Sequence, residues 1–305
     1  MIIDFSSLPD ENLLVGTLVN RCAELYEASP DCEDDCTHPS GSCSGCCREC
    51  TEQVHWHRKN GRTDYDCQKL LYYYVCRYAW KYCSEIMYAL EMLDLEDYPS
   101  YDILSIGCGS APDLMAFEQI NRKDKKSIYY RGFDINPFWE AIHNEIENYI
   151  LTCDDIEAKF TIRDIFDVIE KSNPPKRPYN VIILEYLISH LPSKNRAELV
   201  AQLFNGLIDK VIAVRTPGTP FLIIINDIDH YSVRNLFDLI VDIIKGAGYH
   251  GTLDKKHFLM RKQDYGDGSE RYASSSNKFY IPENIKDNFN CAIECSSAQL
   301  IIELR

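Results

Sequence analysis

The sequence predicts a doubly wound α/β fold for residues 99–305, a mostly parallel seven-stranded sheet with helices on both faces. A helical, cysteine-rich lobe in residues 1–98 precedes it. Three observations carry this prediction. From Tyr101 onward, short apolar runs alternate with helix-period stretches, the pattern of parallel strands joined by crossover helices. The first run, Ile103 to Ile106, ends in the turn Gly107-Cys108-Gly109, and a helical pattern opens at Pro112. Nine of the fourteen cysteines fall between Cys32 and Cys83, and aliphatic residues are scarce from Asp31 to Arg62.

Taken in order, residues 10–28 place Leu13, Leu14, Leu18, Cys22, Leu25 and Tyr26 at near-helical spacing, with Asp10 to cap the start and Ser29-Pro30 to stop it. From Asp31 to Arg62 periodicity disappears, so this piece orders only if something other than apolar burial holds it. A helical stretch over about 64–94 opens at an Asp64 cap and closes at Asp97-Tyr98-Pro99. It is rich in aromatics, among them Tyr65, Tyr74, Tyr78 and Tyr82. These either pack the lobe against the sheet or, for some tyrosines, line a ligand pocket.

Strands are expected at about 101–106, 127–133, 158–163, 180–184 and 221–225. Helices follow at about 112–121, 137–151, briefly after Asp164, and at 194–210 and 231–246. Two late strands, about 252–260 and 297–304, flank a polar loop from Gly266 to Asn277.

Composition narrows the partners. At 305 residues and a net charge of −15, the chain as a whole is no electrostatic match for nucleic-acid backbone or an anionic membrane. No run approaches the roughly 18 apolar residues of a membrane span. The start, Met1 to Ser7, lacks the basic-then-apolar order of a secretory signal, so a cytoplasmic location without disulfides is expected.

In such a sheet, ligands sit at the carboxyl ends of the strands. Those ends read Gly107 and Gly109, Asp134, Asp164, Glu185, and Asn226-Asp227, so polar groups gather on one edge. Singly, each acid is equally a helix cap or a solvated loop end. Together, a glycine turn, an acid at the second strand end to accept ribose hydroxyls, and an acid at the third to accept from an adenine amine describe an adenosine ligand.

This arrangement resembles the class I S-adenosylmethionine-dependent methyltransferases, which have a Rossmann-like fold. The resemblance covers about residues 100–305 and rests on Ile106-Gly107-Cys108-Gly109-Ser110, Phe133-Asp134-Ile135-Asn136, Arg163-Asp164-Ile165-Phe166 and the segment Leu184-Glu185 through Leu191. The resemblance implies S-adenosylmethionine as cofactor. The Gly107–Ala111 backbone would face its methionine part, with Asp134, Ile135 and Asn136 at the ribose and Asp164 and Ile165 at the adenine. Two places depart from the family pattern: Ser105 stands where an acid is common and Ala111 where a third glycine is common. Ala111 still permits close helix approach, whereas Ser105 leaves the methionine amine to another acceptor, Asp113 or Glu185.

A dinucleotide oxidoreductase uses the same fold, but a pyrophosphate favours Gly-x-Gly-x-x-Gly, and Pro112 stands in the third glycine place and lacks an N–H. A methyltransferase-like fold that only binds or scaffolds is the other alternative. Methyl transfer from a sulfonium is an in-line displacement, served by positioning and by removal of the acceptor's proton. Glu185, Tyr186 and His190 are the candidates for that second role, with a plain helix-start residue as the alternative for His190. The Asn/Asp-Pro-Pro-aromatic tetrapeptide of amino-directed nucleic-acid methylases is missing after the fourth strand, and Asn173-Pro174-Pro175-Lys176 lies before it.

The cysteine segment interlocks two hooks, Cys43-x-x-Cys46 and Cys47-x-x-Cys50, flanked by Cys32, Cys36, His38, His55 and His57, with Cys67 beyond. Short hooks bring soft ligands round one ion, so one or two Zn2+ ions are expected, with an iron–sulfur cluster or no metal as alternatives. Arg48, His55, Trp56, His57, Arg58, Lys59 and Arg62 form a basic, aromatic island, either solvated surface or a nucleic-acid contact. The methyl acceptor is open among RNA, protein and small molecule, and the oligomeric state is not legible.

Overall fold

The computed structural model describes residues 13–29, 47–56, 65–171, 175–258 and 267–305. One sheet organises them. Its strands are β1 (Tyr101–Ile106), β2 (Ile128–Asp134), β3 (Ile156–Ile162), β4 (Val181–Glu185), β5 (Phe221–Ile228), β6 (Gly251–His257), β7 (Glu270–Arg271) and β8 (Ser297–Leu304). They lie in the order β3-β2-β1-β4-β5-β8-β6-β7. The first five strands are parallel, and β8 runs antiparallel between β5 and β6. This is a Rossmann-like doubly wound sheet whose order reverses between β1 and β4, where such folds open a crevice. The expected count of seven strands is corrected to eight. The addition, β7, pairs with β6 from within the polar loop, and two residues are too few to leave any periodic signal.

The central strands are buried on both faces and read as apolar runs for that reason. Ile103, Ile183 and Ile224 face one layer, and Leu104, Leu184 and Ile225 face the other. The first layer holds α4 (Pro112–Asn121) and α5 (Glu140–Ile150), and the second α6 (Ile165–Lys171), α7 (Arg196–Lys210) and α8 (Tyr231–Gly246). Over the first layer lie α1 (Leu14–Ala28) and α3 (Gln68–Leu90), with α2 (Cys47–Trp56) and α9 (Glu283–Phe289) packed on α3. One continuous apolar cluster joins α1 and α3 to β1, α4 and α5, so the core runs unbroken past residue 98.

Helix α3 is buried almost all round, which marks a core helix rather than a surface one. Its start is not a side-chain cap: Cys67 holds that position and bonds the helix through its carbonyl alone, which accepts from Leu71 N–H at 3.2 Å, and Asp64 lies outside the described residues. Helix α1 begins at Leu14 rather than near Asp10, which also lies outside them. The backbone N–H of Leu14 donates to Glu118 of α4 at 2.9 Å, so a distant carboxylate satisfies the helix start. Helices α2 and α9 have no counterpart in the sequence reading. Among the described residues no helix is long and apolar enough to cross a membrane.

Candidate active site

The strand register brings the predicted site together. Ile106 pairs with Phe133 and with Leu184, and Leu184 with Ile225, so Gly107, Asp134, Glu185 and Asn226 leave the sheet in one row. Above that row opens a cleft of about 830 Å³. Gly107, Cys108, Gly109, Asp134, Ile135, Asn136, Asp164, Ile165 and Glu185 line it, as do Tyr186 and His190. Ser105 and Asp113, expected beside the methionine amine, are not in that lining. Both are buried under the glycine turn, where Asp113 accepts from the Tyr130 hydroxyl and its own helix start. Burial pushes the Asp113 carboxyl up to about 6.

The glycine turn is built from left-handed residues. Gly107, Gly109 and Ala111 have φ of 70°, 48° and 55°. Gly107 cannot be replaced cheaply, because a Cβ there would also stand 3.1 Å from Leu187. Ala111 is fully buried in a conformation that costs an L-residue roughly 1–2 kcal/mol. The missing third glycine therefore costs strain rather than space. Asp134 organises the turn: its Oδ2 accepts from Gly109 N–H at 3.0 Å and its Oδ1 from Asn136 N–H at 2.9 Å. Burial raises its pKa, and those two donors pull it back. Asn136 in turn donates from its side chain to the Tyr65 carbonyl at 2.8 Å, tying the wall of the cleft to its floor.

Below the turn lies a group that sequence reasoning missed. His143 of α5 donates from Nε2 to the Gly109 carbonyl at 2.7 Å and stacks on Phe160 at 4.2 Å. That bond requires a proton on Nε2, since a carbonyl only accepts. Burial lowers its pKa to about 4 and keeps it neutral. Gly132 of β2 provides the room: a Cβ there would stand 2.8 Å from the Cys108 sulfur and 2.9 Å from Phe160.

A buried polar network meets the cleft from the other side. Glu85 of α3 accepts from the Tyr186 hydroxyl at 2.8 Å, from Asn226 Nδ2 at 3.0 Å and from Ser296 N–H at 2.8 Å. Lys81, one turn earlier on α3, donates to the Tyr186 hydroxyl at 3.0 Å and lies 3.5 Å from Glu85. Tyr186 is thereby held in a left-handed conformation with φ of 52°. Burial, then Glu85, raises its pKa well above the phenol range, which keeps the hydroxyl protonated and donating to Glu85.

Glu185 is only 7% exposed. Its Oε1 accepts from Asn226 at 3.3 Å, and its Oε2 has no partner although it is buried at the cleft. Burial, then the charges of Asp113 and Glu85, raise its pKa well above the carboxylate range. A carboxyl so placed is matched to an incoming cation or to a proton it must take up.

Aromatic rings wall the cleft. Tyr65 and Tyr74 meet edge to face at 4.9 Å, and Tyr82 packs 4.4 Å from Tyr186. Three aromatics of the expected long helical stretch (Tyr65, Tyr74 and Tyr82) thus line the pocket, while Tyr72, Tyr73 and Trp80 fill the core. Tyr65 also lies 6.3 Å from the exposed ring of His190 at the rim. Arg163 is the one lysine or arginine among the described lining residues.

Most of the expected metal ligands (Cys32, Cys36, His38, Cys43, Cys46 and His57) lie outside the described residues, as does the side chain of His55. Cys47 and Cys50 are buried against the core from α2, and Cys67 precedes α3. Among the described residues no three His, Cys, Asp or Glu side chains are grouped to hold a metal ion. Of the basic island, Arg48 is described with its side chain, exposed and 3.6 Å from Glu52.

No family model and no curated protein matches the chain. Distant likenesses to solved structures are found. Magnesium protoporphyrin IX methyltransferase from Synechocystis PCC 6803, with bound S-adenosylmethionine, is 12% identical over 84% of this chain and 91% of that one, at a TM-score of 0.40. A protein from Listeria monocytogenes described as a class I S-adenosylmethionine-dependent methyltransferase is 14% identical over 73% of this chain and 58% of that one, at 0.42. Precorrin-6Y C5,15-methyltransferase from Geobacter metallireducens GS-15 is 10% identical over 73% and 88%, at 0.35. Likenesses this distant assign no activity, and any reading of the cleft rests on its own geometry.

Proposed function

We propose that the chain is an S-adenosylmethionine-dependent methyltransferase. The observation that carries this reading is the pairing, across one cleft, of Asp134 beside the glycine turn with the unpartnered Oε2 of Glu185. The ribose diol and the methionine ammonium of that cofactor lie on either side of its sulfonium, and each needs an acceptor. Asp134 takes the diol with the lone pairs its two backbone donors leave, and Ile135, 68% exposed, offers the adenine an apolar face. Glu185 takes the ammonium in place of the acid that Ser105 does not supply. The cofactor supplies an electrophilic methyl group on a sulfonium. Tyr82 and Tyr186 hold the acceptor in line, and His190 at the rim receives the acceptor's proton. A dinucleotide fits less well, since Pro112 opens α4 without the N–H that a pyrophosphate would use.

The tyrosine wall and the single lining arginine favour a flat, uncharged or cationic small acceptor over a polyphosphate chain. We assign the cysteine segment a zinc-stapling role, supported by its interlocked hooks. Elemental analysis tests this, and less than about 0.2 equivalents of any transition metal would remove it. The cofactor binding on which this reading depends is tested by ultraviolet crosslinking of methyl-tritiated S-adenosylmethionine followed by peptide mapping. Label should reside on the peptides bearing Gly107–Pro112 or Tyr186. Absence of label, or label confined to other segments, overturns the reading.

A further inference from the structure

On the far side of β2 from α4 and α5 lies a second cavity, of about 340 Å³. Leu104, Phe133, Val168 and Leu207 give it an apolar floor, and Tyr129 and Tyr179 also line it. Tyr129, Arg131 and Phe133 alternate along β2 and so face the same way. What sets this cavity apart is its charge. Arg131, Lys176, Arg177 and Lys210 all line it, in a chain whose net charge is −15. In register with Arg131 on β3 stands Lys159, a like charge directly opposite, which destabilises a sheet unless an anion compensates it.

One of these cations is already paired: Arg177 contacts Asp102 and stacks 4.6 Å over the Tyr129 ring. Arg131, Lys176 and Lys210 have no carboxylate of the described residues at ion-pair distance. Glu157, exposed and opposite Tyr129, is the other acid in register on this side. Arg131 instead lies 5.8 Å above the Phe133 ring. Near it, burial pushes the Tyr179 hydroxyl up to about 12 while the Arg131 charge pulls the other way. Phe133 and Ile165 line both this cavity and the candidate active site, so the two share a wall.

We propose that this cavity is a second binding site, for a small organic anion whose flat apolar body packs on the floor of Leu104, Phe133 and Leu207 and whose phosphate or carboxylate head pairs with Arg131 and Lys210. The apolar floor excludes a bare inorganic anion as the preferred ligand, and the unpaired cations exclude a neutral one. The site is independent of what the larger cleft binds.

Ligand-observed NMR titration with phenyl phosphate tests it, against phenol and inorganic phosphate as half-ligands. Phenyl phosphate should bind saturably, each half-ligand about tenfold more weakly or worse, and added salt should weaken the phosphate arm. Arg131→Gln and Lys210→Gln should each weaken phenyl phosphate about tenfold. Arg131→Lys, which keeps the charge in the strand, should stay within about threefold of the parent, and thermal unfolding should place all three variants near the parent Tm. Saturating S-adenosylhomocysteine should leave the affinity standing. Failure to saturate by about 10 mM, parental affinity in folded Arg131→Gln, or competitive displacement by S-adenosylhomocysteine would overturn the proposal.

Discussion

Replacing Glu185 with glutamine isolates the contact on which the methionine end of the cofactor depends. The change preserves shape and the bond from Asn226 to Oε1, and it removes only the capacity to ionise at Oε2, the atom left without a partner. In the parent, burial holds the carboxyl neutral to a higher pH than usual. Pairing with an ammonium reverses that preference, so ligand binding should release a proton and tighten as pH rises toward the pKa of the free form. A charge-assisted hydrogen bond contributes about 1.5–3 kcal/mol, which at about 1.4 kcal/mol per decade is a loss of roughly ten- to a hundredfold in affinity for Glu185→Gln. Calorimetry with S-adenosylhomocysteine in two buffers of different ionisation enthalpy reads both quantities, since this ligand keeps the amine and lacks the sulfonium. Parental affinity together with an unchanged proton count in the variant would refute the assignment of the amine to Glu185.

Three further outcomes follow from the same geometry. His143 is ordinarily a base of 6.5 but takes its proton in the fold only near 4, so the unfolded chain binds protons first. Its contribution to stability is present above about pH 6.5 and is lost as pH falls toward 4, by up to about 3 kcal/mol. Asp113, pushed up to about 6, acts oppositely in that window, so the test is the difference between parent and His143→Gln in denaturant unfolding at pH 7 and 4.5. Equal slopes would contradict the buried neutral ring. Gly132→Ala should press on Cys108 and Phe160 and cost about 1–3 kcal/mol, with S-adenosylhomocysteine affinity falling as the glycine turn shifts. A variant of parental Tm and affinity would show that the turn does not depend on this close approach. Lys81→Met leaves Glu85 buried without its cation and should cost about 3–5 kcal/mol, whereas Lys81→Met with Glu85→Gln should recover most of it.

The strand ends were legible because they are local. An apolar run of four to eight residues closed by glycine or an acid announces both a strand and which edge it exposes, and Gly107, Asp134, Asp164 and Glu185 all stand in the lining of the cleft. Ser105 and Asp113 were misplaced for a tertiary reason. Both neighbour the turn in sequence, but the first turn of α4 faces Tyr130 of β2, which draws Asp113 into the core. The network of Lys81, Glu85, Asn226 and Gln299 left no signal, since its members are joined only when α3 lies across the ends of β5 and β8. A lysine and a glutamate four apart on a helix read as a solvated pair until the helix proves to be buried all round. The starts of α1 and α3 were set too early because the sequence offered Asp10 and Asp64 as caps, whereas α1 takes its acceptor from Glu118, more than a hundred residues away. Helix α2 arises in a stretch without aliphatic periodicity, where Cys47, Cys50, Thr51 and Val54 supply its buried side.

The most direct test is calorimetric titration of the full chain with S-adenosylhomocysteine, run beside NADH and repeated on Asp134→Ala. One equivalent should bind to the parent, none to the variant within the same concentration range, and NADH should give no heat of binding. An absence of S-adenosylhomocysteine binding to folded parent protein, or parental affinity in Asp134→Ala, would contradict the assignment of this cleft.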